Sequence, residues 1–336
     1  MGDGNGEDNK SATGTAPPTP QHSKSLSAQS IAKALLAGGV AGGVSRTAVA
    51  PLERLKILMQ VQGNQKVYTG VWQGLVYMAK NEGIRGMFRG NWTNCLRIVP
   101  NSAVKFLTYE QLIRLLSYEL KERGGDGQMT PGLRLAAGAV AGTIAMSATY
   151  PLDMVRGRLT VQVERTGNYT GILHCTRQIV GQEGLVALWR GWVPSVIGVI
   201  PYVGLNFAVY ETLKDTVIQM SDVTHERQLS VWTRLGAGAV AGTVGQTVAY
   251  PLDVVRRRMQ MSGWSGAQAL HAEGGKAVVY SGMTDCLTRT VREEGIKALF
   301  KGLWPNYIKV VPSIAIAFAT YEKLKEWMGV ELRISS

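Results

Sequence analysis

The feature that most constrains the fold is an internal repeat of about 100 residues that occurs three times. Each copy contains a Glu-Gly pair with the same residues at the same distances from it. A tyrosine stands 14 residues before this glutamate and a proline 18 residues after it. The glutamate of a Tyr-Glu pair stands 28 residues after it. The three pairs begin at Glu82, Glu183 and Glu294. Equal offsets in three copies predict one supersecondary unit, repeated with pseudo-symmetry.

Each copy is predicted to contain two long helices. Three spans without a charged residue, 135–152, 191–210 and 235–252, approach the roughly 20 residues that cross a bilayer. A soluble helical repeat protein is the alternative, but soluble helices rarely tolerate so much interior glycine. The first helix of each copy has GxxxG spacing, where another helix is expected to approach closely. The glycines are Gly38/Gly42, Gly138/Gly142 and Gly238/Gly242.

The predicted architecture is therefore an all-α membrane protein with six transmembrane helices in three pseudo-symmetric repeats. The predicted repeats are 29–120, 129–219 and 230–328, after a Gly/Ser/Thr/Pro-rich tail at 1–28 that we expect to be disordered. Three short amphipathic helices are predicted at 70–82, 171–183 and 282–294, and the stretch 263–279 is longer than its counterparts. The long connections carry 12 Lys and Arg against three in the short ones, which places both termini opposite the long loops.

A proline motif near the end of each first helix carries charges that a membrane segment normally excludes. The acids stand two residues after the proline and the bases five residues after it. A pair three residues apart can form within one helix, but three kinked helices around an axis allow each acid to meet the base of its neighbour. Glutamines nine residues after two of the prolines are expected to brace this ring, whereas the equivalent Thr160 is too short. The acids are Glu53, Asp153 and Asp253, the bases Lys56, Arg156 and Arg256, and the glutamines Gln60 and Gln260.

A second charged set lies at the opposite end of the second helices. It consists of Tyr-Glu pairs, two of which are followed three residues later by a lysine; in the first copy Ile113 replaces that lysine. Two breakable rings at opposite ends of one pathway favour an alternating-access transporter over a channel. The members are Tyr109, Glu110, Tyr210, Glu211, Lys214, Tyr321, Glu322 and Lys325.

The pattern P-x-[DE]-x-x-[KR], then [DE]-G and aromatic-basic-Gly, resembles the mitochondrial carrier family over residues 29–328. The third element occurs as Phe88-Arg89-Gly90, Trp189-Arg190-Gly191 and Phe300-Lys301-Gly302. The resemblance implies a multi-pass monomer of the mitochondrial inner membrane, with its termini toward the intermembrane space and lipid, including cardiolipin, around it. It implies a matrix gate at the proline motifs, a cytoplasmic gate at the Tyr-Glu pairs, and one substrate between them.

The candidate substrate contacts stand 15 residues after each Glu-Gly glutamate: Arg97, Gly198 and Lys309. Two cations at one depth suit phosphates, while Gly198-Val199 leaves an apolar slot and Tyr202 can stack on a ring. Within the family, these residues resemble those of carriers of adenine nucleotides, the plant-type members above all. The segment SRTAVAPLERLK adds Arg46 as a third phosphate ligand by the same resemblance. A carrier of coenzyme A or adenosine 3′,5′-diphosphate, or an ATP-Mg/phosphate exchanger, is the alternative.

Other classes of protein fit less well. The net charge of +12 suggests an anionic partner, but no run of five Lys or Arg and no nucleic-acid-binding motif occurs. Cys95, Cys175 and Cys286 lack metal or redox spacing and are expected to be reduced thiols. No catalytic constellation or metal-ligand spacing is present, so we expect neither an enzyme nor a cofactor. A proton leak or a scaffold would not need two aligned cations.

Overall fold

The computed structural model describes residues 28–63, 67–122, 124, 129–162, 169–220, 230–264, 266 and 278–329. Within these residues the secondary structure is helical, without a strand. The predicted tail lies outside the described residues apart from Ala28, and so does most of the stretch 263–279.

The first long helix of each repeat contains the proline motif. In repeat 1 it is α1 (Ala28–Ala48) followed by α2 (Ala50–Val61), and in repeat 2 it is α6 (Pro131–Ala148) followed by α7 (Tyr150–Val161). In repeat 3 a single helix, α10 (Val231–Met261), continues through Pro251. Proline removes one backbone donor and bends the helix, and α6 and α7 are bent by 62° relative to each other.

A short helix and the second long helix complete each repeat. The short helices are α3 (Val71–Met87), α8 (Ile172–Glu183) and α11 (Met283–Glu294), close to the predicted bounds. The second long helices are α5 (Ile98–Glu122), preceded by α4 (Asn91–Leu96), then α9 (Trp192–Met220) and α12 (Leu303–Trp327). Six long helical segments, two per repeat, are therefore present as expected.

Hydropathy identifies fewer of these segments than the repeat does. Among the described residues, one helical segment, Leu185–Met220, is by itself long and apolar enough to cross a membrane, and the bent pair α6–α7 passes the same test jointly. The other long segments carry the charged residues of the proline motif, or Arg97 and Lys309, which lower their hydropathy.

The GxxxG glycines do not make the predicted close helix contacts. A Cβ added at Gly38, Gly142, Gly238 or Gly242 would meet nothing within 4 Å, and at Gly42 and Gly138 the nearest atoms are 3.8 and 4.0 Å away. The packed face is a different row of small residues: Ala37, Ala41 and Ser45, with Ala137, Ala141, Ala145, Ala241 and Gly245 at equivalent positions. Ser45 Oγ donates to the Ser313 carbonyl at 2.6 Å, and a Cβ at Gly245 would lie 2.9 Å from the Tyr202 carbonyl oxygen.

The repeats interlock in a cycle at the end of the bundle that holds the proline motifs, here called the proline-motif end. The glycine after each aromatic-basic pair touches the next repeat. A Cβ at Gly191 would lie 2.9 Å from the Arg256 carbonyl oxygen, and one at Gly302 would lie 2.8 Å from the Lys56 carbonyl oxygen. Both glycines also have a positive φ, near 85°, which larger residues rarely adopt. The aromatic-basic-Gly triplets therefore bring neighbouring repeats close together.

Candidate functional site

The charges of the proline motifs form a closed interhelical ring. Arg156 donates to Glu53 at 2.8 Å, Arg256 to Asp153 at 2.6 Å, and Lys56 to Asp253 at 2.7 Å. Each pair joins two neighbouring repeats, as the threefold spacing predicted, rather than two turns of one helix. Because two or more helices must separate to break any pair, the ring closes the proline-motif end of the bundle.

Two glutamines brace this ring. Gln60 Nε2 donates to Asp253 Oδ2 at 3.0 Å, and Gln260 Nε2 donates to Asp153 Oδ2 at 3.0 Å. At the third place, Thr160 presents its backbone carbonyl to Arg54 Nε at 2.9 Å. This contact uses the backbone of Thr160 and not its side chain.

Asp153 has a further cation that sequence reasoning missed. Arg257 Nη1 lies 3.2 Å from Asp153 Oδ2 and donates to Gln260 Oε1 at 2.7 Å. Both Arg257 and Asp153 are buried. The run of three arginines, 256–258, was visible in the sequence, but only Arg256 stands in the repeated register. Which neighbouring arginine also reaches the carboxylate depends on helix rotation.

The three predicted phosphate-binding cations line one cavity of about 300 Å³. Arg46 and Lys309 lie on α1 and α12, and Arg97 lies at the junction between α4 and α5. Asn94, which sequence analysis did not single out, lines the same cavity and accepts a 3.3 Å hydrogen bond from Arg46 at its carbonyl oxygen. We call this the cationic cavity.

Two of these cations also contact the ring of acids. Arg97 Nη1 lies 3.6 Å from Asp153 Oδ1, and Lys309 Nζ donates to Glu53. Glu53 therefore accepts from Arg156 and from Lys309 at the same time. The cations that could hold an anion and the carboxylates that close the bundle are thus direct partners, which the repeat spacing alone did not predict.

Gly198, Val199 and Tyr202 line a different cavity of about 260 Å³. The six candidate substrate contacts, which were expected to face one central cavity, thus divide between two cavities that both border the ring. Apolar and aromatic side chains supply much of the wall of this second cavity, which we call the apolar cavity. Both cavities end on the ring, since Lys56, Asp253 and Arg256 line the apolar cavity and Glu53 and Arg156 the cationic one.

The opposite end of the bundle, with the Tyr-Glu pairs, has ion pairs of another kind. Among the described residues, Glu110, Glu211 and Glu322 each pair within their own helix, with Arg114 at 2.6 Å, with Lys214, and with Lys325 at 3.9 Å. Tyr109, Tyr210 and Tyr321 are half-buried. These pairs of the three glutamates thus lie within single helices, whereas the acids of the proline motifs pair between helices.

Three further charge clusters lie below the ring, at the short helices. In each, a buried arginine and the basic residue of the aromatic-basic-Gly triplet meet the glutamate of the Glu-Gly pair. Arg258 donates to Glu294 at 2.9 Å and to the Gln60 carbonyl at 3.1 Å, so it also caps a helix of another repeat. Burial raises the pKa of Glu294, but the hydrogen bonds and charges of Arg258 and Lys301 more than offset this effect and lower it below its usual value. The other clusters are Arg54–Glu82–Arg89 and Arg158–Glu183–Arg190.

The cysteines show no sign of metal or disulfide chemistry in the described part of the chain. All three are free thiols, and no group of three or more His, Cys, Asp or Glu side chains suited to a metal is found in the residues described. Burial raises the pKa of Cys175 and of Cys286, on α8 and α11, to about 12. These two side chains therefore stay neutral and pack in the interior.

Comparison with known proteins agrees with the threefold repeat. The family model described as "Mitochondrial carrier protein" matches residues 27–120, 127–221 and 227–331. The chain is 58% identical to the mitochondrial adenine nucleotide transporter ADNT1 of Arabidopsis thaliana, over 91% of this chain and 90% of the relative. It is 42% identical to the calcium-binding mitochondrial carrier protein SCaMC-2-B of Danio rerio and to the mitochondrial adenyl nucleotide antiporter SLC25A25 of Homo sapiens. Each of these alignments covers 89% of this chain, which spans only 60% of the length of either relative. Three family matches along one chain, together with the cyclic ring of proline-motif ion pairs, establish that this protein belongs to the mitochondrial carrier family of the mitochondrial inner membrane.

Proposed function

We propose that this carrier exchanges adenine nucleotides, that is ATP, ADP and AMP, across the mitochondrial inner membrane by alternating access. The observation that carries the proposal is that Arg97 and Lys309 contact the ring carboxylates Asp153 and Glu53 beside an apolar cavity. The names of the relatives, an adenine nucleotide transporter and an adenyl nucleotide antiporter, support the same substrate class.

The charge of the two cavities suits a nucleotide with several phosphates. Six cations and two carboxylates line them, a net charge of +4. Arginine binds phosphate through a two-pronged fork and lysine as a point charge, so Arg46, Arg97 and Lys309 are the proposed phosphate ligands. Gly198, Val199 and Tyr202 are the proposed contacts of the base, because a flat apolar ring needs a close-fitting apolar wall.

Substrate binding is coupled to gating through shared partners. A phosphate drawn to Lys309 and Arg97 competes with Glu53 and Asp153 for the same donors, which weakens the ring. A ligand shifts a conformational equilibrium only by its differential affinity for the two states. An empty carrier lacks this contribution, and its ring stays closed. The coupling therefore favours exchange over net uniport.

We assign the ring at the proline motifs to the matrix gate and the Tyr-Glu pairs to the cytoplasmic gate. The basic long connections belong on the matrix side by the positive-inside rule, which places both termini toward the intermembrane space. The three interhelical pairs and two glutamine braces make the matrix gate the stronger one, so the empty carrier rests open toward the termini. The substrate pathway lies within one chain, so the transporting unit is a monomer surrounded by membrane lipid such as cardiolipin. Nucleic acid is not a partner.

Reconstitution into liposomes tests the proposal. Purified protein is assayed for uptake of labelled ADP into vesicles that contain ADP or no nucleotide. We expect uptake only into loaded vesicles, and inhibition by external AMP, ADP and ATP. Uptake at equal rates into empty vesicles would contradict exchange. The same assay distinguishes the alternatives. Stronger inhibition by coenzyme A or adenosine 3′,5′-diphosphate indicates a carrier of those compounds, and counter-exchange of phosphate for ATP-Mg indicates an ATP-Mg/phosphate exchanger.

A further inference from the structure

Gln246 on α10 lines the apolar cavity beside Gly198, Val199 and Tyr202. Its neighbour Gly245 sets its depth, because a Cβ there would lie 2.9 Å from the Tyr202 carbonyl oxygen and 3.3 Å from the Asn206 nitrogen. A glycine at 245 thus allows α10 to pack directly on the backbone of α9. Gln246 consequently lies where α10 packs on α9, and it lines the same cavity as Tyr202.

The repeat gives Gln246 two counterparts of different chemistry. Arg46, Met146 and Gln246 each stand five residues before the proline of their motif. Arg46 lines the cationic cavity, while Met146 and Gln246 line the apolar one. The same position in the three repeats thus carries a cation at the proposed phosphate site in one repeat. In the other two repeats it carries a thioether and an amide at the proposed base site.

The amide of Gln246 is available to a ligand. Within the described residues its side chain has no hydrogen bond or ion pair. Other polar groups of the apolar cavity are engaged: Lys56 pairs with Asp253, and the Tyr250 hydroxyl donates to the Lys301 carbonyl at 3.0 Å. An amide offers one donor group and one acceptor, with no charge that would compete for phosphate.

We propose that Gln246 reads the base of the transported nucleotide and selects adenine over guanine, an inference that rests on the proposed function. Adenine presents an acceptor at N7 beside the N6 amino donor, and a glutamine amide complements both at once. Guanine presents acceptors at both N7 and O6, so the amide oxygen faces an acceptor. Met146 and Val199 supply apolar contacts to the faces of the ring.

The test compares inhibition of labelled ADP exchange by unlabelled ADP and by GDP in liposomes. For the unmodified carrier we expect ADP to be the stronger inhibitor. Gln246→Met keeps the approximate length and removes both hydrogen bonds, so the preference for ADP should fall about tenfold, the discrimination typical of one two-point base contact. Gln246→Arg supplies donors to N7 and O6, and the preference should shift further, toward GDP. Gln111→Met, an exposed glutamine on α5 that lines neither cavity, should leave the preference unchanged.

The outcomes separate this inference from the proposed function. A carrier that exchanges no adenine nucleotide contradicts the proposed function itself. The second outcome is that the carrier exchanges ADP, but the ADP-to-GDP preference of Gln246→Met and of Gln246→Arg stays within twofold of the unmodified carrier's preference. That outcome overturns the role of Gln246 and leaves the proposed function intact. For a variant that binds nucleotide but does not transport it, the preference for ADP over GDP is measured from the shifts of the unfolding temperature that each nucleotide causes in detergent. If Gln246→Met does not fold, Gln246→Leu, which also removes both hydrogen-bonding groups, takes its place with the same expected loss of preference.

Discussion

Arg97 Nη1 lies 3.6 Å from Asp153 Oδ1, so a cation of the cationic cavity in repeat 1 faces a ring carboxylate of repeat 2. Lys309 of repeat 3 stands in the same relation to Glu53 of repeat 1. The cavity and the ring are therefore one electrostatic unit. An anion that binds the cations changes the partners of the carboxylates directly, without a longer chain of contacts between the two.

Removal of either cavity cation should abolish most of the exchange while the protein still folds. In Arg97→Ala, Asp153 keeps Arg256 at 2.6 Å and Arg257 at 3.2 Å, so no carboxylate is left unpaired. The lost contacts to phosphate are charge-assisted hydrogen bonds, each of about 1.5–3 kcal/mol. We expect ADP exchange in liposomes to fall by roughly 10- to 150-fold.

Lys309→Ala should behave in the same way, because Glu53 keeps Arg156. Lys80→Ala is the matched control, since Lys80 is exposed on α3 and lines neither cavity. Exchange at the unmodified rate in Arg97→Ala or Lys309→Ala would remove that residue from the substrate site.

The pair Lys56–Asp253 should tolerate reversal of both charges better than reversal of one. Asp253→Lys places two cations where a 2.7 Å ion pair stood and also removes the hydrogen bond from Gln60. We expect loss of exchange and a lower unfolding temperature. Lys56→Asp/Asp253→Lys should recover part of both, because coupling between contacting charges is about 0.5–3 kcal/mol. A double variant no better than Asp253→Lys would show that the two residues do not act as a pair.

Completing the cytoplasmic gate should shift the resting state of the carrier. Ile113→Lys supplies the third lysine, three residues after Glu110, as Lys214 and Lys325 stand after their glutamates. A cytoplasmic gate with three cations should close more often and make the matrix-open state more populated. The measurement is the labelling rate of single cysteines placed along the cationic cavity, from each side of the membrane. Unchanged labelling would mean that the two rings do not set the balance.

The charge cluster at Glu294 should give the protein a component of acid sensitivity. The folded pKa of Glu294 is lowered, so its stabilising contribution is fully present above the unfolded pKa of about 4.3 and is lost as the pH falls through the lower folded value. Glu294→Gln removes this contribution. It should therefore lower the unfolding temperature at pH 7 by several degrees, since breaking a buried pair costs about 3 kcal/mol.

The same variant should lose less stability than the unmodified protein between pH 7 and pH 3.5, when measured in detergent. Glu293→Gln is the matched control, because the neighbouring Glu293 is exposed and should behave like the unmodified protein. An identical acid-induced drop in Glu294→Gln and in the unmodified protein would contradict the assignment.

The buried thiols should resist alkylation. Cys175 and Cys286 are buried, and their pKa is raised to about 12, whereas Cys95 is only half-buried. At pH 7.5 a maleimide should label at most one cysteine of the folded protein and all three after denaturation in detergent. Peptide mass spectrometry identifies the modified residue. Rapid labelling of Cys175 or Cys286 in the folded protein would show that α8 and α11 open to solvent.

The sequence by itself determined the repeat, the six long helical segments and the pairing of the ring. Glu53, Asp153 and Asp253 occupy one register, with Lys56, Arg156 and Arg256 three residues on. Because equal offsets recur around a threefold axis, each acid was expected to meet the base of a neighbouring repeat, and it does. The same argument anticipated Gln60 and Gln260, and the short helices at 71–87, 172–183 and 283–294 lay near their predicted bounds.

Only the tertiary structure decided what depends on helix rotation and side-chain reach. Periodicity does not say that Arg97 and Lys309 reach the ring carboxylates, that Arg257 joins Arg256 at Asp153, or that the substrate contacts divide between two cavities. The GxxxG spacing also predicted the wrong row of small residues as the helix contact. The row that contains Gly245 packs against a neighbouring helix, while Gly238 and Gly242 face open space. Neighbouring positions on a helix point about 100° apart, so a modest rotation of a tilted helix decides which of them meets the next repeat.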